Sequence, residues 1–259
     1  LIMNVAGPCL IVDSLSHLTM QLGDFLTMVL ASIAMLGAMI AAGFAILKAV
    51  GLPIRSFLPA LAIGNTGNLG LPLCLFAFGQ RGLGLAVAVY VTNSVGQFIV
   101  TPMLQSGMPA FRTLAATPVA YAAAIGVVLL AAGLHPPEWL ATTLRLLGDL
   151  MIPLMLLALG NTLGGLKVTR LGLAVGIAGA RLALGVAAAF GVGKLVGLDG
   201  LALAVLVLQG AMPTAVFNYL FAARYERHPD DVAGIVLVST LLVAVLLPWL
   251  VTYVLALAG

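Results

Sequence analysis

The segment Ala41-Ala-Gly-Phe-Ala-Ile-Leu-Lys48-Ala-Val-Gly-Leu52 decides the fold, because it returns 146 residues later as Ala187-Ala-Ala-Phe-Gly-Val-Gly-Lys194-Leu-Val-Gly-Leu198. Seven of the twelve positions are identical. Internal similarity of this kind is left behind when a membrane fold is built from structural repeats. The sequence therefore predicts two related halves.

The same register persists outside this segment. Leu75-Phe-Ala77 lies opposite Leu220-Phe-Ala222 at an offset of 145 residues, and Tyr90-Val-Thr92 meets Leu237-Val-Ser239 after a slip of two residues. Chance matching of small apolar residues could produce one such match. Three matches in register favour a true repeat.

The composition places both halves in a lipid bilayer. Of the 259 residues, 63% are hydrophobic and 7% are charged, whereas a soluble domain has about 25% charged residues. A membrane helix needs about 20 apolar residues, so a chain of this length holds at most about a dozen such helices. Almost nothing is then left for a soluble domain. The excess of 11 basic over 8 acidic residues reflects loop orientation rather than a surface for nucleic acid. The two cysteines lie in apolar runs and support no disulfide framework.

Apolar stretches between short polar segments predict nine membrane helices. They cover residues 1–16, 25–48, 58–79, 83–104, 114–133, 140–163, 171–194, 200–223 and 232–256. If the loops alternate sides, one side collects seven basic residues and the other three. The first side is predicted to be cytoplasmic, so the chain starts in the cytoplasm and Gly259 lies outside.

The register pairs the first four candidate helices with the last four, which leaves the fifth, at 114–133, without an N-terminal partner. That partner would lie before the first residue, so we expect a five-plus-five architecture whose first helix is absent from this chain. Because five is odd, the second unit enters the membrane from the opposite side and the repeats are inverted. The first repeat is then 1–105, which holds helices 2–5 of the expected ten. A short linker follows at 106–113, and the second repeat, 114–259, holds helices 6–10 of the ten.

Two candidate helices carry matching breaks. The third contains Gly64-Asn-Thr-Gly-Asn-Leu-Gly-Leu-Pro72, which is too rich in glycine and proline for a straight helix, and the eighth contains Gln209-Gly-Ala-Met-Pro-Thr214. Pro72 would free the carbonyl of Asn68. Broken helices at corresponding positions of two repeats indicate a transporter site, and the N-termini of the half-helices favour an anionic substrate. The alternative is a packing kink with close contacts between small residues.

These residues resemble a known family, the auxin efflux carriers, which include the plant PIN-formed carriers and many bacterial relatives. Asn65-Thr66-x-x-x-Gly70-x-Pro72 is similar to the fourth-helix motif of the family. The ninth-helix region is matched by Pro213-Thr-Ala-Val-Phe-Asn-Tyr-Leu-Phe-Ala-Ala-Arg-Tyr225 and by His228-Pro-Asp230, which follows it. Gly148-Asp149-x-x-x-Pro153-Leu-x-Leu is similar to the seventh helix.

The resemblance implies an all-α membrane protein in which the fourth and ninth of ten helices cross at their prolines beside the substrate site. It implies a scaffold and a moving domain that work by an elevator-like motion, and a homodimer that forms through the scaffold. A small carboxylate substrate, no enzymatic activity and a place in the bacterial inner membrane are further expectations. The link from Gln105 to Arg112 is far shorter than the cytosolic loop of many plant members, so auxin itself is not the expected substrate.

By this resemblance, Asn65 corresponds to the asparagine that meets the substrate carboxylate, and Pro72 and Pro213 correspond to the crossing prolines. Three further candidates follow from position alone: Asn68, Thr214 and Asn218. Asn65 and Asn68 are three residues apart and share a face if that turn is helical.

Three polar or charged residues inside other candidate helices complete the predicted site. Asn93 belongs to a polar cluster that binds substrate or only forms hydrogen bonds between helices. Arg181 lies about ten residues into its helix, and its guanidinium suits a carboxylate; the alternatives are a structural pair or a later helix start. Asp149 lies mid-span, where burial would favour its protonated form and suit it to proton coupling, although interhelical hydrogen bonding is the alternative.

Two other classes of function remain as alternatives. An intramembrane enzyme is disfavoured, because neither HExxH nor GxSxG occurs, and Gly191-Val-Gly-Lys194 is followed by Leu195 rather than the Ser or Thr of a phosphate loop. No cofactor is predicted, and the three histidines are spaced for no metal site. A sodium-coupled bile-acid-type symporter would share the crossed-helix design but needs acidic and polar residues clustered at the crossing.

Overall fold

The structure is a computed structural model that describes residues 5–16, 22–107, 118–151, 153, 154, 157, 161 and 168–259. Within these residues the regular structure is helical. Ten α-helices run in chain order as α1 (Gly7–Ser16), α2 (Leu22–Val50), α3 (Ile54–Ala62), α4 (Leu71–Ser106), α5 (Pro118–Ala132), α6 (Glu138–Asp149), α7 (Leu171–Val196), α8 (Gly200–Gly210), α9 (Val216–Arg224) and α10 (Pro229–Ala258). A π-helical segment, Thr66–Gly70, precedes α4.

In the described part of the chain, four helical segments are long and apolar enough to cross a bilayer: Gly23–Val50, Thr66–Ser106, Leu171–Val196 and Pro229–Ala258. Backbone polar groups in hydrocarbon must be satisfied within the protein, and helices do this inside a single segment. The protein is therefore an all-α membrane protein, as the sequence predicts.

The helices pack in two groups. The side group consists of α1, α5 and α6, in which α1 packs against the other two. The central group consists of α2, α3, α4, α7, α8, α9 and α10, and within it α7 contacts α2, α3, α8 and α10. Helix α4 joins the groups because it also contacts α1 and α5.

Two breaks lie inside the central group. After α3 ends, Ile63 is extended with φ −105° and ψ 114°, and the π-helical segment follows. After α8 ends, Ala215 is extended with φ −63° and ψ 136° before α9 begins. Gly64 and Thr214 pair as an isolated antiparallel bridge. The two breaks therefore lie against each other with their chains in opposite directions.

The first break lies at the N-terminal end of the predicted stretch Gly64–Pro72. The chain leaves the helix at Ile63, and Pro72 lies in the first turn of α4, so this proline follows the break. The first N–H groups of a helix have no intrahelical acceptor, so proline fits there without cost. The second break does contain its proline, because Pro213 lies between α8 and α9.

Gly79 separates the third candidate helix from the fourth. Its φ of 65° and ψ of −158° interrupt the helical geometry of α4, and this conformation is open essentially to glycine alone. The predicted helix boundary at residues 79–83 coincides with this kink.

Several predictions fall outside the described residues. They concern residues 1–4, most of the linker at 106–113 and most of the sixth candidate helix after residue 151. The division into two repeats at 1–105 and 114–259 stays a prediction.

Candidate functional site

The two breaks are held together by main-chain hydrogen bonds. The N–H of Asn65 donates to the carbonyl of Pro213 at 2.7 Å, and the N–H of Ala215 donates to the carbonyl of Ile63 at 3.1 Å. Where a helix is interrupted, its backbone N–H and C=O groups lose their partners within the helix. Here each broken segment supplies partners for backbone groups of the other. The junction is a fixed part of the fold.

Arg181 reaches this junction from the middle of α7. The residue is 3% exposed, and its Nη1 donates to the carbonyl of Gly210 at 3.1 Å. Its Nη2 lies against Gly64, where a Cβ atom would collide with it. Its Nε has no hydrogen-bond partner among the described residues. The guanidinium therefore lies between the two breaks with part of its donor capacity unused.

No carboxylate neutralises Arg181. All eight acidic residues of the chain lie within the part that the structure describes, and Arg181 forms an ion pair with none of them. The partner of Arg181 is instead the C-terminal end of α8, which carries partial negative charge and unpaired carbonyls. This contact leaves a full positive charge at the junction.

Small residues allow Arg181 to reach its partner. A Cβ atom on Gly210 would lie 2.6 Å from the carbonyl oxygen of Gly185 and 2.7 Å from Cβ of Ala189. Glycine at both positions lets α7 and α8 approach closely, as small residues do between membrane helices.

A small cavity lies beside the guanidinium. It is lined from α2, α3, α4, α7 and α8 and from the first residue of the π-helical segment, and it includes Asn93, Arg181 and Gln209. Its volume of about 10 Å³ is close to that of a single water-sized sphere. An organic anion therefore cannot fit until the surrounding helices separate.

Two neutral polar side chains near this cavity also have unused hydrogen-bonding atoms. Nδ2 of Asn65 and Oε1 of Gln209 are buried without a partner among the described residues. Gln209 is packed against Gly70, and its Nε2 has only a long contact of 3.6 Å with the sulfur of Cys74. A buried polar group without a partner costs about 1–3 kcal/mol, so such groups are typical of a binding site.

Asn93 supports the first break directly. Its Nδ2 donates to the carbonyl of Gly64 at 2.8 Å and to Oγ1 of Thr66 at 3.1 Å. Asn93 therefore lies beside the first break with its donors engaged in holding the broken segment, and its binding of substrate stays a prediction.

Thr214 and Asn218 are engaged with the end of α3. Oγ1 of Thr214 donates to the carbonyl of Ala60 at 2.8 Å. Nδ2 of Asn218 donates to the carbonyls of Pro59 and Ile63 at 3.0 and 3.2 Å. The last carbonyls of a helix need partners, so the geometry gives both side chains a capping role.

Two other predicted residues lie apart from these contacts. Asn68 is half-buried in the π-helical segment, whereas Asn65 lies just before that segment with φ −80° and ψ 55°. Because Asn65 is not helical, the expectation of a shared helical face is not met. Asp149 is the last residue of α6, and its side chain is exposed. The structure therefore places Asp149 at a helix end rather than in the middle of a helix, and its coupling role stays a prediction.

Three residues that line the cavity are not among the predicted site residues: Thr66, Gly185 and Gln209. Gln209 carries a usable signal, since it is a polar residue four positions before Pro213 in an otherwise apolar helix. Gly185 follows Arg181 by one helical turn. The sequence does not show that this glycine packs closely against Gly210 of α8, so it gives no signal by itself.

The sequence of the chain is similar to those of known membrane transport proteins. A family described as membrane transport protein matches residues 103–251. An uncharacterized transporter of Methanocaldococcus jannaschii is 26% identical over 202 residues, which cover 73% of this chain and 65% of the relative. An uncharacterized transporter of Methanothermobacter thermautotrophicus is 29% identical over 197 residues, which cover 73% of this chain and 64% of the relative. The chain thus spans slightly less than two thirds of the length of these relatives.

Proposed function

The chain belongs to the membrane transport protein family, which is the auxin efflux carrier family, and from this premise we propose that it carries a small organic carboxylate across the membrane. The observation that carries the proposal is the buried guanidinium of Arg181, which has no carboxylate partner and lies between two broken helices. A charge inside a membrane protein is costly and is retained where it serves function.

The chemistry of the junction supports a carboxylate. A guanidinium can donate two parallel hydrogen bonds to the two oxygens of a carboxylate. Nδ2 of Asn65 is a further buried donor that has no partner among the residues described by the structure. The helical chain that starts at Thr66 adds unpaired N–H groups and partial positive charge at its first turn. We infer that Arg181 and Asn65 are the principal anion ligands.

Access requires movement, because a cavity of about 10 Å³ admits no organic anion. We propose that the side group is a scaffold and that the central group slides along it as an elevator. The proposal is supported by the packing: the junction lies entirely within the central group, and α4 supplies the contacts to α1 and α5. A homodimer would form through the side group, where Tyr121, Ile125 and Val128 of α5 are exposed.

Counterflow in proteoliposomes tests the function. Vesicles are loaded with one unlabelled carboxylate, and uptake of the same labelled acid is followed for lactate, indole-3-acetate, malate and succinate. We expect protein-dependent accumulation of at least one acid, and Arg181→Gln should reduce it about tenfold or more, because hydrogen bonds to charged groups contribute about 1.5–3 kcal/mol.

Arg170→Gln is the matched control. Arg170 has a side chain that is 59% exposed and pairs with Asp231 just before α7, so its loss should leave counterflow near the wild-type rate. Equal loss in both variants would point to a general effect of removing arginine. Absence of counterflow with every acid would refute carboxylate transport.

The same assay distinguishes the proposed carrier from a sodium-coupled symporter. That hypothesis needs a carboxylate at the crossing, whereas Asp231 and Asp199 form their ion pairs with Arg170 and Lys194 near the two ends of α7. Uptake that requires sodium would favour the symporter, and sodium-independent uptake would favour the present proposal.

A further inference from the structure

We propose that the carrier selects monovalent anions and exchanges them without moving net charge through the membrane. This inference rests on the proposed function, because it concerns the charge that moves when the central group moves. It follows from the number of fixed charges at the junction and from their position in the fold.

Arg181 is the one buried charged residue away from a helix end in the described part of the central group, since Arg81, ten residues into α4, is exposed. Arg181 lies ten residues after the start of α7 and fifteen before its end, which is about 15 and about 22 Å along the helix. The other charged residues of this group lie in a first or last turn, in a loop or beside the kink at Gly79. At helix ends and in loops, charged side chains can reach the membrane–water interface.

Both ends of α7 carry local ion pairs. Arg170 pairs with Asp231 at 3.3 Å, and Lys194 pairs with Asp199 at 2.6 Å. Each pair is neutral overall and adds no net charge when the helix moves. The side chains that accompany Arg181 at the cavity, Asn93 and Gln209 among them, are neutral. The junction therefore carries a net charge of one positive unit.

The bound substrate determines the charge that crosses the membrane. A monocarboxylate neutralises Arg181, so the loaded central group moves without net charge. A dicarboxylate leaves one uncompensated negative charge, and an unloaded junction leaves one positive charge. Moving one charge through a potential of 100 mV changes the equilibrium between the two orientations about 50-fold. The loaded step with a monocarboxylate is thus the step that the membrane potential does not affect.

Succinate and monomethyl succinate are a matched pair of probes, since they share a carbon skeleton and differ by one charge. Lactate and indole-3-acetate are added as monovalent acids, and malate as a divalent acid. Self-exchange of each labelled acid is measured in wild-type proteoliposomes at 0 and −100 mV, with the potential set by potassium and valinomycin. Net uptake into vesicles without internal acid is measured alongside.

We expect monovalent acids to exchange at least tenfold faster than divalent acids, and their exchange to change less than twofold with potential. Net uptake of a monovalent acid should fall by up to about 50-fold at −100 mV, because the unloaded junction must return outward with its positive charge. In Arg181→Gln the loaded carrier would bear the substrate charge, so any remaining exchange should become sensitive to potential.

Two results would overturn the inference and leave carboxylate transport standing. One is faster exchange of divalent acids, and the other is exchange of monovalent acids that slows several-fold at −100 mV. If no acid exchanges at all, carboxylate transport itself is refuted, and the inference is refuted with it. The decisive measurements use the wild-type protein and do not depend on the folding of a variant.

Discussion

The backbone N–H of Asn65 donates to the carbonyl of Pro213 at 2.7 Å, so the residue before the first helix restart is fixed to the proline of the second break. The bridge between Gly64 and Thr214 lies beside this bond. The two breaks therefore form one structural unit, and a substitution in either break should change the stability of both.

Gly64→Ala should destabilise the protein by about 1–3 kcal/mol, because the added methyl group would collide with Nη2 of Arg181 and overpacking of this kind is costly. Displacement of Arg181 should also reduce carboxylate counterflow. Thermal unfolding in detergent measures the first effect.

Gly176→Ala is the control for this substitution. Gly176 lies in α7, and a Cβ atom there would meet nothing within 4 Å, so the replacement should be neutral or stabilise by up to about 1 kcal/mol. Equal destabilisation in both variants would contradict the close approach of Arg181 to Gly64.

Asn218→Ala should lower stability by about 1–3 kcal/mol, because the carbonyls of Pro59 and Ile63 would lose a buried donor. Gln97, which donates to Oδ1 of Asn218 at 3.1 Å, would lose its acceptor as well. Thr252→Ala is the control, since Thr252 is exposed and bonds only within its own helix; its effect should stay within about 0.5 kcal/mol. Reduced substrate affinity in Asn218→Ala at unchanged stability would assign this side chain to the substrate instead.

Asp149→Asn should leave the pH dependence of transport unchanged. The side chain is exposed at the end of α6, in the side group, whereas Arg181 and the cavity lie in the central group. Counterflow from pH 5 to pH 8 measures this directly. A flattened pH profile in the variant would restore the proton-coupling role that the sequence predicts for Asp149.

Much of the architecture could be predicted from local sequence. Family membership is confirmed, and so is the all-α membrane fold, because apolar composition and short motifs are read directly from the chain. The sequence places the first break within Gly64–Pro72 but does not specify the residue at which the helix ends, since proline disrupts a helix interior but fits its first turn. The contact of Gly64 with Nη2 of Arg181 joins residues 117 positions apart and is not specified by local sequence either.

The roles of individual polar residues were harder to predict for a related reason. Asn65 and Asn218 are both buried asparagines close to a break, and nothing in their local sequence separates them. Asn218 meets the carbonyls at the end of α3, whereas Nδ2 of Asn65 has no partner in the described part of the chain. That difference depends on contacts between segments about 150 residues apart in sequence, which sequence spacing does not specify.

Asn65→Ala therefore tests the proposed site most directly. Nδ2 of Asn65 is buried without a partner, so its removal breaks no side-chain hydrogen bond of that donor within the described residues, and thermal stability should be preserved. If this donor meets the substrate carboxylate, its loss should cost about 1–3 kcal/mol of binding, which is roughly a 5- to 150-fold loss of affinity. Titration of the best counterflow substrate against the purified variant measures the change.

Asn93→Ala supplies the contrast, because Nδ2 of Asn93 donates to Gly64 and Thr66 and its loss should lower the unfolding temperature first. The two variants remove the same chemical group from neighbouring positions, so a difference between them reflects what each amide contacts. A substrate affinity in Asn65→Ala equal to that of the wild type would remove Asn65 from the anion site. Arg181 would then have to bind the carboxylate without Asn65, because Nδ2 of Asn93 already donates to the broken segment.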